Sequence, residues 1–246
     1  MAAKVDRVPE NDQTIERILV VNAHPDDVDF GTAGSVAVWT DAGIDVAYCL
    51  VTDGDAGGHD RGVSRAEMVE TRHAEQTQAA KHVGVTDLVW LGYPDGRVEP
   101  TLDLRRDLSR VIRQVRPQRV VCPSPVRNFE RIYASHPDHL AVGEATLCAV
   151  YPDARNPFAH PELLDEGFEP WSVSEVWMAA TATADVFVDI TDTIDRKMDA
   201  LKSHVSQHQD PSSLDELIRG WGRMVAQAAG YPDGHYAEGF QRVATA

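Results

Sequence analysis

Apolar positions along the chain alternate between two periods. Residues 17 to 22, RILVVN, form a short β-branched run, the pattern of a strand buried on both faces of a parallel sheet. Residues 32 to 43 carry apolar side chains at helical spacing and end on Gly43, after which 45 to 52, DVAYCLVT, read as strand again. A glycine-rich loop over 53 to 62, a helix over 64 to 83, a strand at 87 to 92, a helix over 103 to 115 and a strand at 119 to 124 repeat the unit. Strands separated by helices, without antiparallel alternation, predict an α/β fold. The expected form is a Rossmann-like, doubly wound, mostly parallel sheet with helices on both faces.

Beyond His136 the pattern loosens. It predicts a helix after His136, a Pro-rich connection through 151 to 171, strands at 175 to 180 and 185 to 190, and helices over 192 to 204 and 211 to 228. No internal repeat or low-complexity linker interrupts the chain, so 15 to 246 is expected to form one domain. Its core would span about 15 to 150 and a C-terminal α/β extension about 151 to 246, after a polar leader, extended or disordered, over 1 to 14.

Charge narrows the list of partners. Against 23 Lys and Arg stand 39 Asp and Glu, a formal net charge of -16 over 246 residues. Such a surface repels phosphate backbones and anionic headgroups, so neither nucleic acid nor membrane is expected as a partner. Hydrophobic residues at 43% and charged residues at 25% are globular values that allow a sizeable core. Cys49, Cys122 and Cys148 lie in apolar stretches at no zinc-like or redox-like spacing, as for buried thiols in a reducing compartment. With no signal-peptide stretch at the N-terminus, the expected location is the cytoplasm. The sequence allows a homo-oligomer without specifying one.

In open α/β sheets the ligand crevice lies beyond the C-terminal ends of the strands, where strand order reverses. The loop leaving the first strand reads Ala23-His24-Pro25-Asp26-Asp27-Val28-Asp29, and the one after the fourth reads Ser135-His136-Pro137-Asp138-His139. A zinc-like ion accepts imidazole nitrogen and carboxylate oxygen, and a catalytic site leaves one position open to water. His24 and Asp27 can converge on one ion if the chain turns at Pro25, and His139 is placed to complete the set. The expected cofactor is Zn2+, with Fe2+ as the alternative in the cell. Two neutral histidines and one carboxylate leave the ion positive, lowering the pKa of bound water from about 15.7 toward about 7. Asp26, held ionised by that field, is the candidate general base. His136 is the candidate donor to the oxyanion or leaving nitrogen, with Asp138 orienting and charge-stabilising it. Together they describe metal-assisted hydrolysis of an amide or ester. Taken singly, HPDD also reads as a turn with a solvated acidic tip and HPDH as an N-capped helix start; their joint placement favours a site.

AHPDD, TDGDAGG after the second strand, TRHAE in the next helix, LGYPDG after the third strand and HPDH together resemble the LmbE-like superfamily. These are the relatives of N-acetylglucosaminyl-phosphatidylinositol de-N-acetylase, including the mycothiol and bacillithiol pathway deacetylases. The resemblance spans roughly residues 17 to 150, with weaker echoes in LKSHVSQHQ and YAEGF. It implies that His24, Asp27 and His139 hold zinc, that Asp26 is the base, and that His136, supported by Asp138, assists the tetrahedral intermediate. It also implies that Arg72 reaches the substrate side, whereas the helix pattern equally allows an exposed arginine paired with Glu70 or Glu75.

The reaction implied is removal of acetate from an N-acetylated amino sugar, a small-molecule substrate. Asp53, Asp55, His59 and Asp95 are candidates for its hydroxyls, though a glycine-rich acidic loop also reads as a mobile turn. One departure stands out: the mycothiol deacetylases carry a tyrosine two residues before the first histidine of HPDH, where this chain has Ala134, with Tyr133 one position off. His204 and His208, four apart, read as a polar rim or a satisfied core histidine, since a second metal site lacks a carboxylate at fitting spacing. Trp90, Trp171, Trp177 and Trp221 read as packing residues.

A dinucleotide dehydrogenase would need G-x-G-x-x-G and bare amides where this loop has three aspartates. A catalytically silent glycoconjugate-binding protein would be expected to lose a ligand or the base. An amidase on a thiol-sugar conjugate, or a natural-product deacetylase, would use the same centre on another substrate.

Overall fold

The structure, a computed structural model, describes residues 15 to 130, 132 to 208 and 211 to 245; the expected leader over 1 to 14 lies outside them. In chain order its elements are β1 (Arg17–Asn22), α1 (Asp27–Gly31), α2 (Ala33–Asp41), β2 (Asp45–Thr52), α3 (Arg65–His82), β3 (Asp87–Tyr93), α4 (Leu102–Val115) and β4 (Arg119–Pro123). Then come α5 (Pro137–Cys148), α6 (Glu162–Asp165), β5 (Glu175–Ala179), β6 (Val186–Asp189), α7 (Ile194–Lys202), α8 (Pro211–Ala228) and β7 (Ala237–Ala244).

β1 is the pivot of the sheet. Ile18 and Val20 point into a core shared with Val36, Trp39, Ala79, Met198 and Ile218 of the helices on one face. Leu19 and Val21 point into the opposite core, with Leu104, Leu108, Ile112 and Val142. This is the period of two that a strand buried on both faces needs. β1 pairs in parallel with β2 on one side and with β4 on the other, so the strand order reverses beside it. The loops leaving β1 and β4 therefore meet above the same sheet end.

The sheet has seven strands in the order β3-β2-β1-β4-β5-β7-β6. The strands read from the sequence fall within a residue or two of their observed bounds. One strand goes beyond that reading: β7, AEGFQRVA, is antiparallel to both β5 and β6. Its alternation is weak because Phe240 is its one large, fully buried side chain, and the strand is held by ladders on both sides. The loop read after β1 also winds into the single turn of α1 before α2 begins.

β7 fastens the C-terminal elements to the first half of the chain. Its buried Glu238 accepts from the amides of Gly34 and Ser35 in the first turn of α2 and from Lys197 of α7. A carboxylate at a helix N-terminus satisfies amides that have no partner within the helix. The clamp holds α7 against α2 and α3, bringing the residues just after α7 beneath the β1 loop.

Candidate active site

At the end of β1 the chain turns so sharply that Asp26 takes the left-handed conformation, φ 81 and ψ -26. Left-handed backbone costs a non-glycine residue about 1–2 kcal/mol and persists where surrounding contacts over-determine it. Some of those contacts come from Arg72, which is 3% exposed. Its guanidinium donates to the Pro25 carbonyl and to Asp26 Oδ2, 3.3 Å away. A Cβ at Gly54, φ +66, would stand 2.8 Å from Arg72 Nε, so the second loop needs glycine there. The turn also brings Asp27 back, with Oδ2 accepting from the His24 amide at 2.8 Å.

On the other loop, Pro137 opens α5, with His136 as its N-cap. His139 lies in its first turn and faces β1. His24 Nδ1 lies 3.3 Å from Asp27 Oδ2 and 3.3 Å from His139 Nε2, and His139 Nε2 lies 3.0 Å from Asp27 Oδ1. Three ligand atoms on a tetrahedral ion with bonds of about 2.0–2.1 Å would stand about 3.3 Å apart. The residues present therefore fit a zinc-like ion.

The far side of the His24 imidazole sets its tautomer. His24 Nε2 is 3.1 Å from Asp95 Oδ1 and 3.1 Å from Asp138 Oδ2, so a proton there leaves Nδ1 a lone pair. The Ala134 backbone nearby favours charge on the His139 ring. Histidine ligands oriented by a carboxylate or a carbonyl are the usual outer layer of a metal site. Charge agrees. Burial opposes charge on His24, yet Asp27, Asp138 and Asp95 outweigh it and push its pKa up to about 12. Asp27 is held well below the usual carboxylate range, against its burial, by His139 and His24. A spot so rich in carboxylate calls for positive charge, which protons or a cation can supply.

Asp26 differs from its neighbour. Burial pushes its pKa up to about 6, against the pull of Arg72, so it leans toward holding a proton more than Asp27 does. His136 completes the group, its ring centroid 4.9 Å from that of His24 and 5.4 Å from that of His139. Its Nδ1 accepts from the Asp138 amide at 3.2 Å, which puts the ring proton on Nε2. Burial and the two neighbouring imidazoles hold its pKa down.

Asp138 is a correction to the sequence reading. Its carboxylate does not orient His136: it faces His24 and accepts from the amides of Gly96 at 2.7 Å and Val98 at 3.3 Å. Only its backbone amide touches His136, though its negative charge still favours a protonated ring there, as expected. For Arg72 the structure discards the alternative of an exposed arginine paired with Glu70 or Glu75, since the side chain is buried and its guanidinium is engaged by Pro25 and Asp26. Glu75 instead accepts from the Ser206 amide and hydroxyl. Met68, Arg72, Gln76 and Ala80 form the buried stripe of α3, and that i, i+4, i+8, i+12 spacing was the available signal.

The candidates for sugar contacts separate. Asp95 joins the centre through His24. Asp55 is tied to Arg65 at 2.6 Å and to the Asp95 amide at 3.0 Å, bracing the second loop against the third. Asp53 bonds His73 Nε2 at 2.7 Å, and that ring stacks on Trp90. His59 is exposed on its loop. Tyr133 turns its ring toward Trp221, centroids 6.3 Å apart, while its neighbour Ala134 serves His139 through the backbone. His204 has no exposed surface and bonds Asp29 through Nε2 at 2.7 Å, a core histidine whose Nδ1 is buried without a partner among the described residues.

The family model described as PIG-L: GlcNAc-PI de-N-acetylase matches residues 19–150. The diacetylchitobiose deacetylase of Thermococcus kodakarensis is 33% identical over 245 residues, 99% of this chain and 89% of that one. A probable N-acetyl-alpha-D-glucosaminyl L-malate deacetylase 2 of Bacillus cereus is 30% identical over 197 residues, 77% of this chain and 83% of its own. Among solved structures, the N,N'-diacetylchitobiose deacetylase from Pyrococcus horikoshii, complexed with its inhibitor MPG, superposes with a TM-score of 0.87. It is 29% identical, and the match covers 95% of this chain and 85% of that one.

Proposed function

The chain belongs to the PIG-L, GlcNAc-PI de-N-acetylase, family, and from that premise we propose that it hydrolyses the N-acetyl amide of an N-acetylglucosaminyl conjugate. The products are acetate and a free amino sugar. The observation that carries the reading is the convergence of His24 Nδ1, His139 Nε2 and the Asp27 carboxylate within 3.0 to 3.3 Å of one another. Asp26 precedes the ligand Asp27 in the same turn, and the His136 ring centroid lies 4.9 Å from that of His24.

His24, Asp27 and His139 would hold the ion, zinc or iron(II). When bound it supplies Lewis acidity toward the acetyl carbonyl and makes water acidic enough to attack near neutral pH. Asp26 takes the proton from the attacking water, a task for which a carboxylate poised below neutrality is suited. His136, with its proton on Nε2, donates to the carbonyl oxygen as it becomes tetrahedral, or to the nitrogen as the amine leaves. Asp138 and Asp95 hold the His24 ring so that its lone pair faces the centre. Among the described residues no helix is long and apolar enough to cross a membrane, and Cys49 and Cys122 are buried free thiols; both suit a small-molecule enzyme of the cytoplasm.

The test is acetate release from a panel comprising N-acetylglucosamine, diacetylchitobiose and N-acetylglucosaminyl conjugates of malate and inositol. Enzyme stripped by chelator would be compared with enzyme reloaded with zinc or iron(II). Metal-dependent release of acetate, one per amine formed, is the expected result. A metal-loaded enzyme releasing acetate from none of the panel would overturn the reading.

A further inference from the structure

The backbone amide of the Asp26 turn is also held. Its N–H donates to Gln76 Oε1 on α3 at 2.8 Å. Gln76 Nε2 donates in turn to Asp29 Oδ2 at 2.9 Å, and that same oxygen lies 2.7 Å from His204 Nε2. Gln76, Asp29 and His204 are all fully buried. His204 stands just past α7, with 175 positions separating it from Asp29 along the chain.

A chain of hydrogen bonds in a low-dielectric interior has one good arrangement, and each member holds the next in place. Losing one leaves a buried polar group without a partner, at about 1–3 kcal/mol. Here the chain ends on the backbone of a residue whose left-handed conformation is strained, so releasing the amide lets the turn relax. The carboxylate that should remove a proton would then drift, and a displacement of about 1 Å from productive geometry costs as much as 10²-fold in rate.

We propose that Gln76 and, through Asp29, His204 are positioning residues for Asp26. They clamp its amide and so fix the turn that aims its carboxylate, which makes the C-terminal extension a determinant of turnover without contact to substrate. The assignment rests on the deacetylase reading of the site. It gives His204 and α3 a task that no part of the HPDD or HPDH loops performs.

The test uses the full-length, metal-loaded enzyme with Gln76→Met, His204→Leu and His204→Gln. Met at 76 and Leu at 204 fill similar space without the hydrogen bonds. Both should lower kcat about 10- to 100-fold at saturating metal, with KM unchanged. His204→Gln, whose side-chain amide can donate where Nε2 does, should recover most of the lost kcat. A second readout needs no activity: hydrogen exchange of peptides covering residues 22 to 30 should quicken in Gln76→Met and His204→Leu while peptides of β2 keep their protection. Wild-type kcat and exchange in both variants would overturn the proposal, as would loss of protection throughout the protein, the signature of a general structural role. If the unaltered enzyme released no acetate from the panel, the deacetylase reading would fall, and the exchange measurement would still decide whether the clamp exists.

Discussion

Two clusters of buried charge in this molecule look alike at first and differ in what they leave over. Beside β4 and β5, Arg119 has no exposed surface and donates to Glu175 Oε1 through Nε at 2.7 Å and Nη2 at 2.6 Å. Arg242 takes the other carboxylate oxygen, and the Arg119 guanidinium lies 3.6 Å over the Trp177 ring. Each charge there is met by an opposite charge or an aromatic face. In the crevice, Asp27, Asp95 and Asp138 crowd one imidazole, and two nitrogen lone pairs and a carboxylate point at one another. Buried charge by itself is a feature of structure. Buried charge with a surplus of one sign and converging lone pairs asks for a ligand.

The largest effect that sharpens the contrast is expected at Asp26. Asp26→Asn keeps the size of the side chain and its contact with Arg72 but removes the proton acceptor. Turnover should fall about 10²- to 10⁴-fold while metal content per chain stays at the wild-type value. Both quantities come from one preparation, by acetate release and elemental analysis. A variant turning over at the wild-type rate would take Asp26 out of the reaction.

Asp138 should give a smaller loss, of a different kind. An asparagine there keeps one oxygen, but its amide must face either the His24 Nε2 proton or the amides of Gly96 and Val98. Losing such an outer partner weakens metal affinity or activity about 10- to 100-fold. For Asp138→Asn the loss is expected in affinity, read by competition with a chelator. An affinity equal to wild type would mean that the His24 ring is oriented by Asp95 alone.

The difference between Asp26 and Asp138 also marks how far a sequence reading reaches. The parallel half of the sheet was legible because strands buried on both faces are uninterrupted apolar runs, and the fold class then dictates which loops meet. His24, Asp27 and His139 follow from that, since ligand types sit in those loops at close spacing. The partner of a side chain is decided by what lies across the interface. Asp138 could not be told from a support for His136, nor Arg72 from a surface arginine, until α3 and the third loop were in place. The bond between Asp29 and His204 joins elements with no local pattern in common. β7 escaped because a strand with ladders on both sides can form from a sequence of little β-propensity.

The smallest effect on turnover belongs to the other cluster, where Glu175→Gln tests the rule from the opposite side. The substitution preserves shape but leaves Arg119 charged, fully buried and facing a neutral amide, with Arg242 robbed of its carboxylate. Breaking a buried pair from one side costs about 3–5 kcal/mol, which denaturant unfolding should register as a lower midpoint at unchanged slope. Folded Glu175→Gln enzyme should bind metal and turn over as the unaltered enzyme does, because none of the crevice contacts named above runs through Glu175. If kcat fell with stability intact, the two clusters would be coupled through β4, and the separation of structural from functional charge drawn here would fail at its plainest case.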